Sequence, residues 1–274
     1  TLLKVSAFIL RKLKQMAARL LFEARASRHR IRRLPDALAP RTTHDAEAIC
    51  ESLTGLLERP LGGWKVGATD PAVPIKLGLE RPFCGPIPAI HLYESGARVD
   101  WADLMRPVVE AEIGLRLGHD LPPRAGPYTR EEVAAAIESL HPGIEIPESR
   151  LEDDHPHGAL GMVADLGYAG RYVAGAGLRD WQAIPVESLA ARLLINGREV
   201  AHGSAAKAFG HPLDGVVWLA NHRGQRFHAG LRAGDMVSTG SLTGIHWTRP
   251  GDVVVADYGA LGSVTVTMTG DGAA

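Results

Sequence analysis

Glu110 and Glu112, two carboxylates set one residue apart, are the groups in this chain best placed to do chemistry. They fall in Pro107-Val-Val-Glu-Ala-Glu-Ile-Gly-Leu-Arg-Leu117. Its period-two alternation sends Val109, Ala111, Ile113, Leu115 and Leu117 to one face of a strand and both glutamates to the other. Two anions side by side repel unless solvent, counterions or a bound cation stands between them. An amphipathic strand with one wet face carries the same pattern, and Arg116 fits that simpler reading. A third acid favours the cation. Ile144-Glu145-Ile146 sets a carboxylate between two β-branched residues, in a run bounded by Pro142-Gly143 and Pro147, which predicts a position near the core. A buried carboxylate needs a cation, a metal or a proton. Three oxygen donors with no Cys or His at ligand spacing beside them point to Mg2+ or Mn2+ rather than zinc.

The elements that must position these acids are mostly short strands. Strand signals cover 63–67, 108–117, 143–146, 193–202, 235–239, 253–257 and 263–268. Asn196-Gly197 splits the fourth of these into a hairpin, because both residues tolerate the positive φ of a tight turn. Helices are predicted after Thr42-Thr43, from Thr129 to about His141 with Glu132 completing a capping box, and from Leu213 to His222. Strands do not alternate regularly with helices, so the expected fold is α+β, a β-rich mixed roll or sandwich rather than a doubly wound sheet. The expected organisation is a helical N-terminal cap over residues 1–60 and a β-rich catalytic domain over 61–274.

With 274 residues, 45% of them hydrophobic, the chain can bury one sizeable core and reads as soluble and globular. A net charge of −1 argues against a nucleic-acid partner and for a small molecule. Cys50 and Cys84 make no disulfide framework, which suggests a reducing, cytoplasmic setting. The N-terminus departs from this neutrality. Residues 1–33 carry Lys4, Arg11, Lys12, Lys14, Arg19, Arg25, Arg28, Arg30, Arg32 and Arg33 against Glu23 alone, a composition like that of a transit peptide. The preferred reading is a start at Met16, with 1–15 an upstream extension. No apolar run approaches the roughly 20 residues that span a bilayer.

Several blocks in order carry a resemblance. Gly63-Trp-Lys-Val-Gly67, Val109-Glu-Ala-Glu-Ile113, His141-Pro-Gly-Ile-Glu-Ile-Pro-Glu-Ser-Arg150 and Trp218-Leu-Ala-Asn221 lead, supported by Phe209-Gly-His-Pro-Leu213, Leu231-Arg-Ala-Gly-Asp235, Thr239-Gly-Ser-Leu-Thr-Gly244 and Asp257-Tyr-Gly-Ala-Leu-Gly262. From about residue 17 to its end the chain resembles the fumarylacetoacetate hydrolase superfamily, and within it the 2-keto-4-pentenoate hydratases and 4-oxalocrotonate decarboxylases. The resemblance implies a mixed β-roll, a homo-oligomer, and a divalent cation, Mg2+ or Mn2+, held by Glu110, Glu112 and Glu145. It implies that Lys65 shuttles protons, with a pKa lowered by burial and by the cation, although a solvated strand lysine has the same sequence signature. Ser241 resembles a substrate contact and Leu77 a pocket wall; both also suit turn and packing roles. The implied reaction is hydration of a 2-hydroxy-2,4-dienoate to a 4-hydroxy-2-oxo acid in aromatic catabolism, with decarboxylation by the same electron sink as the alternative. Partners would be the 2-oxo or 2-hydroxydienoic acid itself and a pathway decarboxylase or aldolase.

The chain also departs from that pattern. Phe83 replaces an aspartate, Leu166 an amide and Tyr168 a serine, which predicts a more apolar pocket and puts the dienoate substrate in question. A carbon–carbon hydrolase of the same superfamily would need a histidine base, for which His91, or His44 with Glu47, are weak candidates. A catalytically silent partner subunit is the non-enzyme reading; three converging acids, costly without an ion, argue against it. The loop Glu152-Asp-Asp-His-Pro-His-Gly158 looks like a metal cluster by composition but reads as solvated. His141 and His211 read as capping or packing residues, and Trp218 as core.

Overall fold

The computed structural model describes residues 2–57, 60–152 and 157–270. In chain order the elements are α1 (Leu2–Ser27), α2 (Thr43–Thr54), β1 (Leu61–Gly67), α3 (Ala72–Leu77), β2 (Phe83–Pro88), β3 (Leu92–Glu94), β4 (Ala97–Asp100), β5 (Val108–Leu117), α4 (Arg130–Ala136), β6 (Ile137–Ile146) and α5 (Gly158–Ala164). They continue as β7 (Arg171–Ala174), β8 (Ala190–Ile195), β9 (Arg198–Ser204), α6 (Pro212–Phe227), β10 (Met236–Ser241), β11 (His246–Trp247), β12 (Val253–Asp257) and β13 (Ser263–Thr269).

Two sheets form the body. The larger runs β2-β1-β10-β5-β6-β7-β3, with β11 added to β5, and the smaller runs β4-β13-β12-β8-β9. Most pairs are antiparallel; β1–β10, β3–β7 and β4–β13 are parallel, so the architecture is mixed, as the strand-rich pattern predicts. The central core lies between the sheets, where Ala111, Ile113, Ile144 and Ile146 share one apolar cluster with Val254, Val264 and Val266. A second cluster joins Ala17, Leu21, Ile49 and Leu53 of the N-terminal helices to Phe83, Val163 and Leu166. The helix α1 runs through Met16, burying Ala17, Ala18, Leu21 and Ala24 and leaving Phe8, Ile9, Leu10 and Met16 exposed.

Local signals hold where they are strongest. Thr129 and Glu132 form the expected capping box, and Asn196 and Gly197 take φ of 53° and 77° in the β8–β9 turn. The helix expected from Thr129 to His141 is corrected. It ends at Ala136, and Ile137 to Leu140 extend β6, because they pair with Leu117 to Leu115 of β5. Tertiary pairing thus ends the helix just after the Ala-rich run, Ala134 to Ala136, and draws Ile137 to Leu140 into the sheet. Cys84, expected in a loop, lies on β2. Trp218, expected in the core, is half-buried and stacks on His222 at 4.7 Å. Residues 153–156 of the acid- and histidine-rich loop lie outside the described residues. Among the described residues no helix is long and apolar enough to cross a membrane.

Candidate metal centre and active-site cavity

Registry puts the chemistry on one face of the larger sheet. Directly paired residues share a face, and Lys65 pairs with Ser238, Ser238 with Gly114, and Glu110 with Glu145. Gly114, Glu112 and Glu110 alternate along β5, so Lys65, Ser238 and all three glutamates point the same way. The opposite face carries Val109, Ala111 and Ile113 into the core between the sheets. The simpler reading of a wet β5 face is therefore overturned. Glu110, Glu112 and Glu145 are 8%, 1% and 1% exposed, because the glutamate-bearing face is covered as fully as the apolar one. Arg116 lies at the end of the strand and donates to the Gly234 carbonyl at 3.1 Å, away from the acids.

One carboxylate oxygen from each of Glu110, Glu112 and Glu145 lies within 4.8 Å of the other two. Their environments differ. Glu112 is held by the Ser238 hydroxyl and by the Gly240 N–H at 3.0 Å, both donating to Oε2. Glu145 has no such support. Its Oε1 lies 3.3 Å from Lys65 Nζ as an ion pair, and its Oε2, also buried, meets no hydrogen-bond donor among the described residues. Buried acceptors are nearly always satisfied, so this orphaned Oε2, on a carboxylate facing two more, fits an all-oxygen ligand set for a hard divalent cation.

The electrostatics show the same tension. Burial pushes Glu110 up to about 7, helped by Glu112 and opposed by Lys65. Burial raises Glu145 well above the carboxylate range; Lys65 opposes this, and Glu112 and Glu110 add to it. For Lys65, which is 5% exposed, burial disfavours the ammonium, but Glu145, Glu112 and Glu110 together outweigh it. The three acids thus raise the Lys65 pKa, and the lowering expected from the sequence is that of a site holding a divalent cation, whose charge would offset theirs.

Lys65, Glu110 and Glu112 open into a cavity of about 500 Å³, which Glu145 does not line. Lys65, Glu110, Glu112, Phe83, Leu77, Tyr168 and Ser241 all line it, together with Thr69, Asp70, Met162, Lys207 and Leu242. Ser241 pairs with Glu112 across a register shift; its hydroxyl accepts the Gly244 N–H at 2.9 Å and holds down the Glu110 pKa. Phe83 packs its ring against Gly67, where a Cβ would collide with it, and lies 5.5 Å from Lys65 Nζ. Tyr168 enters from a turn in which Leu166, Gly167 and Tyr168 all have positive φ. Such a run is costly for non-glycine residues and persists only where the surroundings enforce it. Here Asp165, just before it, is clamped by Arg150, both fully buried. Leu166 turns into the helical core instead of the cavity.

Other candidates fall elsewhere. His141 bonds Ser139 and the Gly175 carbonyl, each at 2.9 Å, and His211 caps α6. His44 belongs to a surface site with Arg81 and Arg226 around Glu47, and His91 to a third cavity beside Arg25. No histidine lines the carboxylate cavity among the described residues. Sequence reasoning missed Ser238, Lys207 and Tyr258, whose hydroxyl lies 2.8 and 2.7 Å from the Glu112 and Gly143 carbonyls, with one proton to donate between them. Only strand membership signalled Ser238; nothing local signalled the other two.

Residues 79–269 match the model of the fumarylacetoacetate (FAA) hydrolase C-terminal family. The chain belongs to the fumarylacetoacetate hydrolase family. Among its relatives in that family, the 2-keto-4-pentenoate hydratase of Burkholderia vietnamiensis strain G4 is 34% identical over 261 residues, 93% of this chain and 96% of that protein. The 4-oxalocrotonate decarboxylase of Pseudomonas putida is 31% identical over 204 residues, 74% of this chain and 75% of that one. The solved structure of 4-oxalocrotonate decarboxylase from Pseudomonas putida G7, complexed with magnesium and adipate, matches with a TM-score of 0.84 at 27% identity, covering 94% of this chain and 98% of the other. The fumarylacetoacetate hydrolase fold agrees with the mixed β-roll expected from the sequence.

Proposed function

We propose that this protein is a divalent-metal-dependent hydro-lyase that converts a 2-hydroxy-2,4-dienoate of the 2-keto-4-pentenoate type to a 4-hydroxy-2-oxo acid in the catabolism of aromatic compounds. The observation that carries the proposal is the convergence of three buried glutamates, one of them with an unsatisfied oxygen, beside a buried lysine at the floor of an open cavity. The hydratase relative, matched over nearly the whole of both chains, supports the reaction type.

In this reading Glu110, Glu112 and Glu145 hold Mg2+ or Mn2+, and the ion acts as a Lewis acid toward the 2-oxo acid end of the substrate. Ser238 and the Gly240 N–H fix Glu112 so that its free oxygen faces its neighbours. Lys65 Nζ carries the proton that leaves the 2-hydroxyl and arrives at C5 on ketonisation. Water then adds across C3–C4, its hydroxyl to C4 and its proton to C3. Phe83, Leu77 and Tyr168 wall the diene, and Ser241 contacts the substrate beside Glu110. Residues 1–60 act as a helical cap on a catalytic domain over 61–274. A cytoplasmic homo-oligomer, working beside a pathway decarboxylase or aldolase, completes the proposal.

Decarboxylation of a 4-oxalocrotonate-type acid is the second reading, favoured by the close structural match to the decarboxylase. Hydrolysis of a carbon–carbon bond is disfavoured, since no histidine base lines the cavity among the described residues. Product masses decide between them: the purified protein with Mg2+ and 2-hydroxypenta-2,4-dienoate should yield a product heavier by one water. Loss of CO₂ from 4-oxalocrotonate, with no hydration of the pentadienoate, would replace the hydratase reading with the decarboxylase one.

A further inference from the structure

The cavity contains a second ammonium that the proposed chemistry leaves unused. Lys207 ends a short 3₁₀ turn after β9, Ala205–Lys207, which Ser204 caps through the Ala206 N–H. Its Nζ donates to the Leu242 carbonyl at 3.2 Å, and the Leu242 N–H in turn donates to the Ala111 carbonyl on β5 at 2.9 Å. The ammonium is therefore anchored to the segment that packs beside the glutamates, with one of its three N–H donors committed and two remaining. Among the described residues no carboxylate lies within the 4.0 Å of an ion pair from Lys207 Nζ. Asp70, the acid on the same cavity wall, accepts the Ala72 N–H at 2.9 Å.

Burial orders the two lysines in depth. Lys65 is 5% exposed at the floor, among the glutamates, whereas Lys207 is exposed and so stands at the mouth. The cavity they share also has apolar lining, including Val73, Leu77, Met162 and Ile245. A carboxylate placed against such a wall loses hydration and needs a cation in return. Lys65 and Lys207 are the two cations lining the cavity among the described residues, and Lys65 is already engaged by Glu145.

We infer that Lys207 is a specificity residue that receives an anionic group at the end of the substrate remote from the three glutamates, so that the site favours a dicarboxylic acid over the corresponding monocarboxylic acid. The identity of the near end rests on the proposed function; the role of Lys207 rests on its own placement. A partly exposed charge-assisted hydrogen bond is expected to change affinity by about five- to tenfold.

The test compares two unreactive probes, adipate and pentanoate, by calorimetric titration into the full chain at saturating Mg2+. Adipate should bind about five- to tenfold more tightly. That preference should collapse toward unity in Lys207→Met and persist in Lys207→Arg. Equal affinities in the unaltered protein, or a preference undiminished in Lys207→Met, would overturn the inference. A Lys207-dependent preference in a protein that hydrates neither 2-hydroxypenta-2,4-dienoate nor the dicarboxylic 2-hydroxyhepta-2,4-diene-1,7-dioate would leave the inference standing and remove the hydratase reading. Hydration without the preference would do the reverse.

Discussion

Glu110 on β5 and Glu145 on β6 are direct cross-strand partners in an antiparallel ladder, both buried. Like charges directly opposite one another destabilise a sheet, and burial sharpens the repulsion. Lys65, 3.3 Å from Glu145, offsets one charge, while Glu112 adds a third acid to the same face. In the proposed function a divalent cation among the three acids would turn this repulsion into coordination, and strand registry brings the acids together for it.

Replacing the charge on one ligand and removing the lysine should separate two functions. Glu110→Gln should weaken Mg2+ or Mn2+ binding by at least about tenfold and lower turnover with it. Lys65→Ala should retain metal binding and lower turnover by about 10²- to 10⁴-fold, the usual contribution of a positioned acid–base group. Calorimetric metal titration alongside steady-state kinetics checks both; unchanged turnover in Lys65→Ala removes the lysine from the mechanism.

Ser238 bonds Glu112 without belonging to the acidic triad. Ser238→Ala should therefore weaken metal binding by about tenfold, the lower end of the usual effect of a group that orients a ligand. An affinity equal to that of the unaltered protein would show that the Gly240 N–H alone suffices to hold the carboxylate.

Parts of the site were readable in the sequence and parts were not. The alternation of β5 exposed Glu110 and Glu112, and the β-branched neighbours of Glu145 gave away its burial, because both are local patterns. The alternation could not show that the glutamate face is covered, since that depends on residues distant in sequence. Ile137 to Leu140 read as helix for the same reason: their pairing with β5 is absent from any local window. Lys207, Tyr258 and Ser238 gain their roles from contacts with Leu242, Gly143 and Glu112, which no spacing rule links to them. The left-handed turn over Leu166 to Tyr168 had no glycine or asparagine signature at its outer positions. The burial of Lys65 had no local signature, because Gly63 to Gly67 reads equally as a solvated strand.

The turn that presents Tyr168 leans on a buried pair. Asp165 and Arg150 are both fully buried, with Asp165 also accepting the Arg150 N–H at 2.6 Å. Asp165→Asn leaves the guanidinium without its counter-charge and should destabilise the protein by about 3–5 kcal/mol. Urea unfolding monitored by circular dichroism measures this; a loss below about 1 kcal/mol would mean that the pair is dispensable to the turn.

Acid should destabilise the protein partly through His91. Burial, with Arg25, Arg171 and Arg150 nearby, pushes its pKa down to about 3 from an unfolded value near 6.5. Between those values the unfolded chain binds a proton that the folded chain refuses, so this group favours folding less as pH falls below about 6.5. His91→Gln should lose less stability than the unaltered protein between pH 7 and pH 4.5 in parallel denaturation series. Identical losses would show that His91 does not contribute to the acid sensitivity.

The central claim is that the three glutamates hold a divalent ion on which hydration depends. Its most direct test follows the ultraviolet absorbance of freshly generated 2-hydroxypenta-2,4-dienoate with metal-stripped protein, before and after adding Mg2+ or Mn2+. Turnover should be negligible before addition, and afterwards the dienoate should be lost with a product heavier by one water. Hydration at full rate in metal-stripped protein, or no metal binding at all, would contradict it.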